Sequence, residues 1–446
     1  MIRRIDYRTP RGRKALEALR AALGAEQGQV SGGGDGAAIE KGVRRILEDV
    51  RTRGDAAVCK WTAKYDRAKV KPADLRVSAE TIEAAYQAMP REFTQTVARI
   101  RDSVRRFQAH ILARPRKPVE RGGRRLGLVY RPLARVGVYV PGGKAFYPST
   151  VLMAAVPALA AGVPEVAIAS PPTADGDIHP GVLATCRVCG IAEVYRMGGT
   201  PAIAAFAYGT ETVRPVEKIA GPGNQYVQVA KKMVYGRVDI DSLAGPSEIV
   251  VLADSSADPR LVAADMLSQA EHDPGSAVVV TPDVGLAGRV VKELERQVAG
   301  LKRAKATRAA LRKYSAVVVV ADLDEAARVA NLLAPEHLEI QTRKPEDVLR
   351  SIRSAGAVFV GRYTPVAVGD YVAGPSHTLP TGGTARWASG LTANDFLRSM
   401  SVIEYDRAAL EADAPDLYRM AEVEGLTAHA ESVRRRLGRG RRDSAT

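Results

Sequence analysis

The spacing of apolar and polar positions changes along the chain. Up to about Phe107, apolar residues recur at the helical period, with charged residues on the opposite face. From Arg135 onward, short β-branched runs alternate with amphipathic or alanine-rich stretches. The predicted strands are RVGVYV (135–140), EVAIAS (165–170), EVYRMGG (193–199), EKIAGPGN (217–224), EIVVLAD (248–254), SAVVVTP (276–282) and AVVVVAD (316–322). This alternation predicts an α/β protein with parallel, doubly wound sheets.

These strands suit two sheets better than one. The predicted fold is two Rossmann-like parallel-sheet domains, incompletely doubly wound, with small helical segments at both termini. The glycine-rich stretch 29–38 is a predicted turn or linker, and beyond Thr392 the strand pattern gives way to a mainly helical segment. Two glycine-rich turns, at 138–150 and 219–227, could cradle a phosphate or could be ordinary tight turns, since neither matches G-x-G-x-x-G.

Composition narrows the class of protein. Of the 446 residues, 46% are hydrophobic and 26% charged, as in globular proteins. Lys and Arg (65) exceed Asp and Glu (50), for a net charge of +15. Aromatic residues make up only 5% and are not interleaved with basic runs, which favours a solvated basic surface over nucleic-acid binding. Much of the excess lies in a predicted frayed tail: Arg434, Arg435, Arg436, Arg439, Arg441 and Arg442.

The cysteines and the most apolar run of the sequence help to predict where in the cell the protein is located. Three cysteines cannot form a disulfide framework, which favours a reducing compartment, and the lone C-x-x-C at 186–189 is better interpreted as packed thiols than as a zinc site. The N-terminus has no apolar signal core. The run 151–170 is broken by Pro157, Pro164 and Glu165, so a buried helix and strand are predicted in place of a membrane span. We expect a cytoplasmic protein.

The chain has six histidines, of which His110 and His179 are interpreted as ordinary surface or turn residues. The other four stand beside carboxylates, amides or Gly/Pro turns: His272, His337, His377 and His429. In NLLAPEHLEI (331–340), Glu336 and His337 are adjacent within apolar sequence. Burying such a pair is costly unless it is paired, metal-bound or used in catalysis.

Some of these histidines could belong to a metal site. Gln269 and His272 are three residues apart and would share one helix face, although a satisfied polar helix end is the alternative. Asp370 lies with His377 in a predicted Gly/Pro-rich loop of the kind that often serves a site. Glu424 and His429 would lie near one helix face, or on a plain exposed helix. Two His, one Asp and one Gln would suit zinc or another first-row ion better than calcium.

At this point the sequence resembles one family over nearly its whole length. That family is histidinol dehydrogenase, the zinc- and NAD-dependent enzyme that completes histidine biosynthesis. The resemblance is densest in VGVYVPGGKAFYPSTVLMAAVPA, GPGNQYV, DSLAGPSEIVVLAD, MLSQAEHDP, NLLAPEHLE and GDYVAGPSHTLPTGGTARWASGL. Several long motifs in the right order are far more specific than any single one.

The resemblance implies a role for each matching residue. The implied zinc ligands are Gln269, His272, Asp370 and His429, for one Zn²⁺ per subunit, and the implied acid–base pair is Glu336 and His337. Substrate contacts would be Ser247, His377 and Glu424, besides His337 and the zinc ligands. NAD⁺ contacts would be Tyr139 and Asn224. Where the family has a further NAD-contacting glutamine, this chain has Pro201, so that contact is absent or supplied by a neighbour such as Thr200.

The resemblance also implies a homodimer whose C-terminal segments cross, so that His429 and Glu424 complete the other subunit's site. We predict an N-terminal helical segment at 1–35 and a large α/β domain with the metal and catalytic residues at 36–138 and 247–392. The second α/β domain, on the NAD side, is 139–246, and the dimer-crossing C-terminal helical segment with its basic tail is 393–446. Neither nucleic acid nor membrane is an expected partner.

The implied reaction takes L-histidinol to L-histidine through L-histidinal, with two hydride transfers to NAD⁺. His337 would be the base for the alcohol proton, and Glu336 would activate water for the second oxidation. One alternative is a paralogous zinc- and NAD-dependent dehydrogenase of the same fold that acts on another small hydroxylated substrate. A non-catalytic basic protein that binds nucleic acid is the other, but it would leave the site histidines and acids unexplained.

Overall fold

Fourteen strands alternate with helices along the part of the chain that the computed structural model describes, namely residues 2–28, 34–142, 146–272 and 275–438. The strands are β1 (Arg3–Asp6), β2 (Val119–Arg121), β3 (Arg124–Pro132), β4 (Arg135–Tyr139), β5 (Glu165–Ser170), β6 (Glu193–Arg196), β7 (Lys218–Ala220), β8 (Asp239–Ile240), β9 (Ser247–Ala253), β10 (Gly275–Thr281), β11 (Ala316–Val319), β12 (His337–Gln341), β13 (Ala357–Val360) and β14 (Leu397–Tyr405).

The α-helices are α1 (Pro10–Gly28), α2 (Gly34–Tyr65), α3 (Ala79–Ala88), α4 (Arg91–Ile111), α5 (Pro148–Thr150), α6 (Val156–Ala160), α7 (Pro180–Val188), α8 (Gly199–Tyr208), α9 (Gln225–Val234), α10 (Pro259–Ala270), α11 (Val284–Val298), α12 (Ala304–Tyr314), α13 (Leu323–Leu333), α14 (Pro345–Leu349), α15 (Val366–Tyr371), α16 (Arg407–Val423) and α17 (Thr427–Arg436). A π-helical turn, Val151–Ala155, joins α5 to α6, and 3₁₀ turns occupy Pro72–Asp74, Thr384–Arg386 and Ala393–Phe396.

The larger of two compact units, Met1–Ile111 with Leu133–Phe396, contains both parallel sheets. Its six-stranded sheet has the order β1-β11-β10-β9-β12-β13, with every neighbouring pair parallel. Strands β10 and β12 are buried along their whole length, as expected for a parallel sheet with helices on both faces. Apolar clusters pack against the two faces of this sheet.

The five-stranded sheet of the same unit has the order β6-β5-β4-β7-β8 and is also fully parallel. Helices α2, α8 and α9 supply much of its apolar core. The predicted two-sheet α/β fold class is therefore confirmed. The predicted domain boundaries stay a prediction.

The smaller compact unit comprises Leu112–Pro132 and Leu397–Thr446. It contains an antiparallel sheet, β14-β3-β2, followed by α16 and α17. The mainly helical C-terminal segment predicted from the sequence was therefore incomplete, because it did not include the nine-residue strand β14. Eight of those nine residues are exposed, so the strand has no buried face to produce a strong periodic pattern.

The termini and turns also differ in part from expectation. The N-terminal segment contains the edge strand β1 as well as a helix, and helix α2 already begins at Gly34 within the predicted linker. Arg434–Arg436 end helix α17 instead of fraying, while the remaining arginines of the predicted tail lie outside the described residues. Residues 29–33 of the linker and 143–145 of the first glycine-rich turn also lie outside them. Over the described residues, no helix combines the length and apolar character needed to cross a bilayer.

Candidate active site

Three neighbouring strands of the six-stranded sheet, β10, β9 and β12, have their amino-terminal ends side by side. Ser247 is the first residue of β9 and His337 the first of β12, with Glu336 directly before it. His272 lies three residues ahead of β10. Because parallel neighbouring strands start at the same end of a sheet, residues far apart in sequence come together here. The sheet thus gathers four of the predicted site residues.

His337 is held in one orientation by the backbone of β9. Its Nδ1 lies 3.0 Å from the carbonyl oxygen of Glu248, and since a carbonyl only accepts, Nδ1 must carry the proton. The other ring nitrogen, Nε2, is buried without a hydrogen-bond partner among the described residues and lies 3.9 Å from Oδ1 of Asp370. Nε2 therefore keeps a free lone pair directed at the site.

Burial keeps this imidazole neutral. It lowers the pKa of His337 to about 4, with further lowering by His272 and His377, although the hydrogen bond to Glu248 acts in the opposite direction. A neutral imidazole with a free Nε2 can accept a proton at pH 7.

Glu336 is buried beside His337, with Oε2 3.5 Å from Nδ1. Burial raises its pKa well above the ordinary value, and the negative charges of Glu248 and Asp370 add to the effect. The backbone amide of Glu248 donates to Oε2 at 3.0 Å, and the Ser247 side chain also hydrogen-bonds to the carboxyl. Glu336 is thus fixed next to the predicted substrate contact Ser247.

Asp370 and His377 also lie close to His337. Asp370 lies in the short helix α15, which corrects the predicted loop, and burial raises its pKa to about 6. The His377 ring hydrogen-bonds to the main chain of Asp370, and burial lowers its pKa to about 4. Its Nε2 is buried without a hydrogen-bond partner in the described part of the chain.

Among the described residues, the predicted His and Asp metal ligands do not form a cluster. Gln269 is buried in the last turn of α10, but the helix ends at Ala270 with Glu271 as its cap, so the expectation of a helix face shared with His272 is wrong. Glu424 caps α16 and His429 lies in α17, on either side of Gly425 at φ +68°, so these two do not share a helix either.

Glu424 and His429 are both exposed residues of the smaller unit. Across residues 2–28, 34–142, 146–272 and 275–438, no three His, Cys, Asp or Glu side chains stand close enough to bind a metal. Nitrogen and oxygen donors nevertheless lie near His337. Among the described residues, the Nε2 atoms of His337 and His377 are both buried without a hydrogen-bond partner. These donors fit a borderline first-row ion once a further ligand is added.

A second cleft, of about 410 Å³, lies at the five-stranded sheet. It is lined by the predicted NAD contacts Tyr139 and Asn224 and by Thr200 and Pro201. The Tyr139 hydroxyl accepts from the amide of Gly199 at 3.2 Å, and burial raises its pKa to about 12. Asn224 caps α9 through Oδ1, which leaves its amide nitrogen available to a ligand.

The remaining sequence predictions for polar residues agree with the structure. His179 caps α7 with its side chain, His110 is exposed near the end of α4, and the thiols of Cys186 and Cys189 are free and largely buried. Sequence reasoning missed Glu248, which reads as the ordinary polar start of a strand, and the cleft residue Asp66. The signal that the sequence offered for Glu248 is an acidic residue followed directly by an apolar strand, where it was at risk of burial.

Two parallel sheets, one carrying a buried Glu–His pair near other imidazoles and the other lining a separate cleft, are typical of an α/β enzyme. The histidinol dehydrogenase family model matches residues 32–437. The chain belongs to the histidinol dehydrogenase family and is therefore an oxidoreductase of histidine biosynthesis.

Individual relatives agree. Over 391 residues the chain is 50% identical to the histidinol dehydrogenase of Rhodopirellula baltica, covering 88% of this chain and 85% of that one. Over 400 residues it is 50% identical to that of Heliobacterium mobile, covering 90% and 94%. The crystal structure of histidinol dehydrogenase from Elizabethkingia anophelis matches with a TM-score of 0.86 and 35% identity, over 90% of this chain and 92% of that one.

Proposed function

We propose that this enzyme oxidises L-histidinol to L-histidine through L-histidinal, with two NAD⁺ reduced and one water consumed. The observation that carries the proposal is His337, which is buried and neutral, with Nδ1 bound to a carbonyl and Nε2 free. An alcohol oxidation needs such a base, because the hydroxyl proton must leave as hydride departs from the carbon.

In the first oxidation, His337 Nε2 takes the hydroxyl proton of histidinol. The carbonyl of Glu248 holds the ring and stabilises the imidazolium that forms, since it accepts the Nδ1 proton at 3.0 Å. Acid–base assistance of this kind contributes roughly 10²–10⁴-fold to rate.

In the second oxidation, Glu336 acts on water. The aldehyde carbon adds water to give a hydrate, which loses a hydride to NAD⁺ and two protons to become the carboxylate product. Glu336 is buried, hydrogen-bonded to Ser247 and the Glu248 amide, and adjacent to His337, so it would meet a substrate already placed for the first step. Its role needs the carboxylate form, so the positive charge of substrate or metal must offset its raised pKa.

Zinc would be held by Gln269, His272 and Asp370 of one chain and by His429 of a second copy. Bound zinc supplies an orienting template for the amine and imidazole nitrogens of the substrate. Because histidinol is a cation, its recruitment rests on the local acids Asp370 and Glu424 and not on the net charge of +15.

NAD⁺ would occupy the cleft of about 410 Å³ at the five-stranded sheet, where it supplies the hydride acceptor. Tyr139 closes the inner wall, and the Asn224 amide lies at the start of α9, where helix amides favour a phosphate. Thr200 is buried with its hydroxyl 3.5 Å from the Tyr226 carbonyl, so it would replace the missing glutamine only by rotating.

A homodimer with shared sites is supported by the smaller unit. Its antiparallel sheet exposes large apolar residues, including Ile403 at 71% exposure and Val119 at 66%. Three-stranded sheets need an apolar face packed against something to be stable. A second copy would cover this surface and would bring its Glu424 and His429 to the site.

The test is a pair of variants assayed for both half-reactions. Glu336→Gln should spare histidinol oxidation and slow histidinal oxidation by about 10²-fold, whereas His337→Asn should slow both, since each loss removes one acid–base group. Stopped-flow NADH formation from histidinol and from histidinal measures the two steps, with zinc content determined alongside.

Glu271→Gln is the matched control, because it makes the same change in the other Glu–His pair of the chain. It should leave both rates unchanged. Equal damage to both steps by Glu336→Gln would refute the division of roles. Absence of NADH from wild-type enzyme with L-histidinol, NAD⁺ and zinc would refute the proposed function itself.

A further inference from the structure

Glu248 is a buried acid that the reaction scheme leaves without a role for its side chain. It is 7% exposed at the second position of β9, directly after Ser247. In the described part of the chain, no basic side chain forms an ion pair with it. Burying a carboxylate without a cation is unfavourable unless hydrogen bonds compensate. Hydrogen bonds must therefore stabilise this buried carboxyl group.

Those hydrogen bonds join three separate segments of the site. Oε1 of Glu248 accepts from the backbone amide of Glu336 at 3.2 Å and from that of Gly382 at 2.7 Å. The Gly383 amide also donates to this carboxyl. Ser247 precedes Glu248, His337 follows Glu336, and His377 lies five residues before Gly382. One carboxylate thus ties together the segments that carry the substrate contacts and the acid–base pair.

The backbone of Glu248 makes the complementary contacts. Its amide donates to Glu336 Oε2 at 3.0 Å, and its carbonyl accepts the Nδ1 proton of His337 at 3.0 Å. Glu248 therefore holds both members of the pair. It contacts the carboxyl group and backbone amide of Glu336 and the imidazole ring of His337.

The turn at Gly382 and Gly383 has a backbone conformation that suits its hydrogen bonds to the Glu248 carboxylate. Gly382 and Gly383 have φ of +57° and +79°, a region that favours glycine, and this lets two successive amides face the same acceptor. A Cβ at Gly383 would also lie 2.4 Å from the Arg386 guanidinium.

We propose that Glu248 is a positioning residue for the oxidation of histidinol, an inference that rests on the roles proposed for Glu336 and His337. Its carboxylate sets the distance between the start of β12 and the Gly382 turn. That distance determines how closely the pair approaches a substrate gripped by His377. A displacement of about 1 Å at a reacting group can reduce the rate about 10²-fold.

The test compares Glu248→Leu and Glu248→Gln. Leucine removes all acceptors, so kcat should fall about 10²-fold, with KM for histidinol changed less than about threefold because other groups bind the substrate. Glutamine keeps one acceptor oxygen for the Glu336 and Gly382 amides but places a donor near Gly383, so kcat should fall about tenfold. Zinc content should stay at the wild-type level in both.

Asp254→Asn is the matched control for a purely structural effect. Asp254 directly follows β9 and accepts a hydrogen bond from the Arg343 amide, in the segment after β12, at 2.9 Å. This contact joins the carboxyl-terminal ends of the two strands, whereas Glu248 joins their amino-terminal ends. This variant should lower Tm without lowering kcat.

A Glu248→Leu enzyme with kcat within threefold of wild type and Tm lowered like that of Asp254→Asn would overturn the proposal. If the leucine variant does not fold, the glutamine variant decides, and an unchanged kcat there overturns it equally. Inactivity of both the wild type and Asp254→Asn on histidinol would instead refute the proposed function.

Discussion

Asp66 is an acid that the molecule retains at some expense of stability. It lines the cleft proposed for NAD⁺, and burial alone raises its pKa to about 6, well above the value of about 4 for an unfolded chain. The folded state therefore binds this proton more tightly than the unfolded state. It follows that the cost of ionising Asp66 grows as the pH rises from about 4 to about 6, is complete above pH 6, and is absent below about pH 4.

We therefore expect Asp66→Asn to stabilise the protein at pH 7.5 and to have little effect at pH 4. The gain at neutral pH should be about 1 kcal/mol after allowance for partial solvent screening. Thermal unfolding of both proteins at the two pH values measures it. The exposed loop acid variant Asp175→Asn should show no such difference, and a gain of equal size at both pH values would contradict the pKa assignment.

Among the elements, the turn between β7 and α9 is clamped by a buried ion pair. The side chains of Lys231 and Asp241 are 1% and 2% exposed and pair with each other. Both also bind Gly221: Lys231 Nζ donates to its carbonyl at 3.1 Å, and Asp241 accepts from its amide at 2.7 Å. A Cβ at Gly221 would lie 2.1 Å from the Tyr139 carbonyl, so this turn packs directly on β4. The clamp holds the start of α9, where Asn224 lies.

Asp241→Asn should destabilise the protein by about 3–5 kcal/mol, because it leaves the Lys231 ammonium buried without its counter-charge. Urea unfolding measures the loss. The surface pair Asp347–Arg350 supplies the control, and Asp347→Asn should cost less than about 1 kcal/mol. Adding Lys231→Met to Asp241→Asn should recover part of the stability. No recovery in the double variant would show that the lost backbone contacts, not the uncompensated charge, dominate.

The elements also show what the sequence could and could not predict. Strands such as β5 and β10 were predictable because their β-branched residues are buried on both faces. Helix α15 was not, since its six residues span too few turns to produce a helical period, and Asp370 was therefore placed in a loop. Likewise, the break at Gly425 depends on a positive φ that no apolar spacing encodes. The site residues themselves came from the family resemblance, and their convergence depends on sheet order, which residue spacing does not determine.

At the scale of the whole molecule, the smaller unit exposes many large apolar side chains. Besides Ile403 and Val119, its exposed apolar residues include Leu126, Leu128, Met400, Val402, Tyr405, Leu417, Met420, Val423 and Leu426. This unit also carries Glu424 and His429. Assembly and activity should therefore depend on the same surface.

Ile403→Asp should convert the proposed dimer to a monomer and reduce kcat by at least about 10²-fold, because a charge buried in the proposed interface is strongly unfavourable and the proposed shared ligands would be lost. Light scattering after size exclusion gives the mass, and NADH formation gives the rate. Val284→Asp places the same charge at an apolar residue of the larger unit that is 59% exposed, and it should stay dimeric and active. A fully active Ile403→Asp monomer would exclude a site shared between copies.

The pairing of β12 with β9 aligns His337 with Ile249. Successive residues of a strand point to opposite faces, so sliding β12 by a single position would turn the imidazole away and present Glu336 or Leu338 in its place, depending on the direction of the slip. Such a molecule could retain most of its secondary structure and still lack a base. On the mechanism proposed above, accurate strand alignment during folding is therefore itself a requirement for catalysis, and circular dichroism alone cannot show that a refolded sample is active.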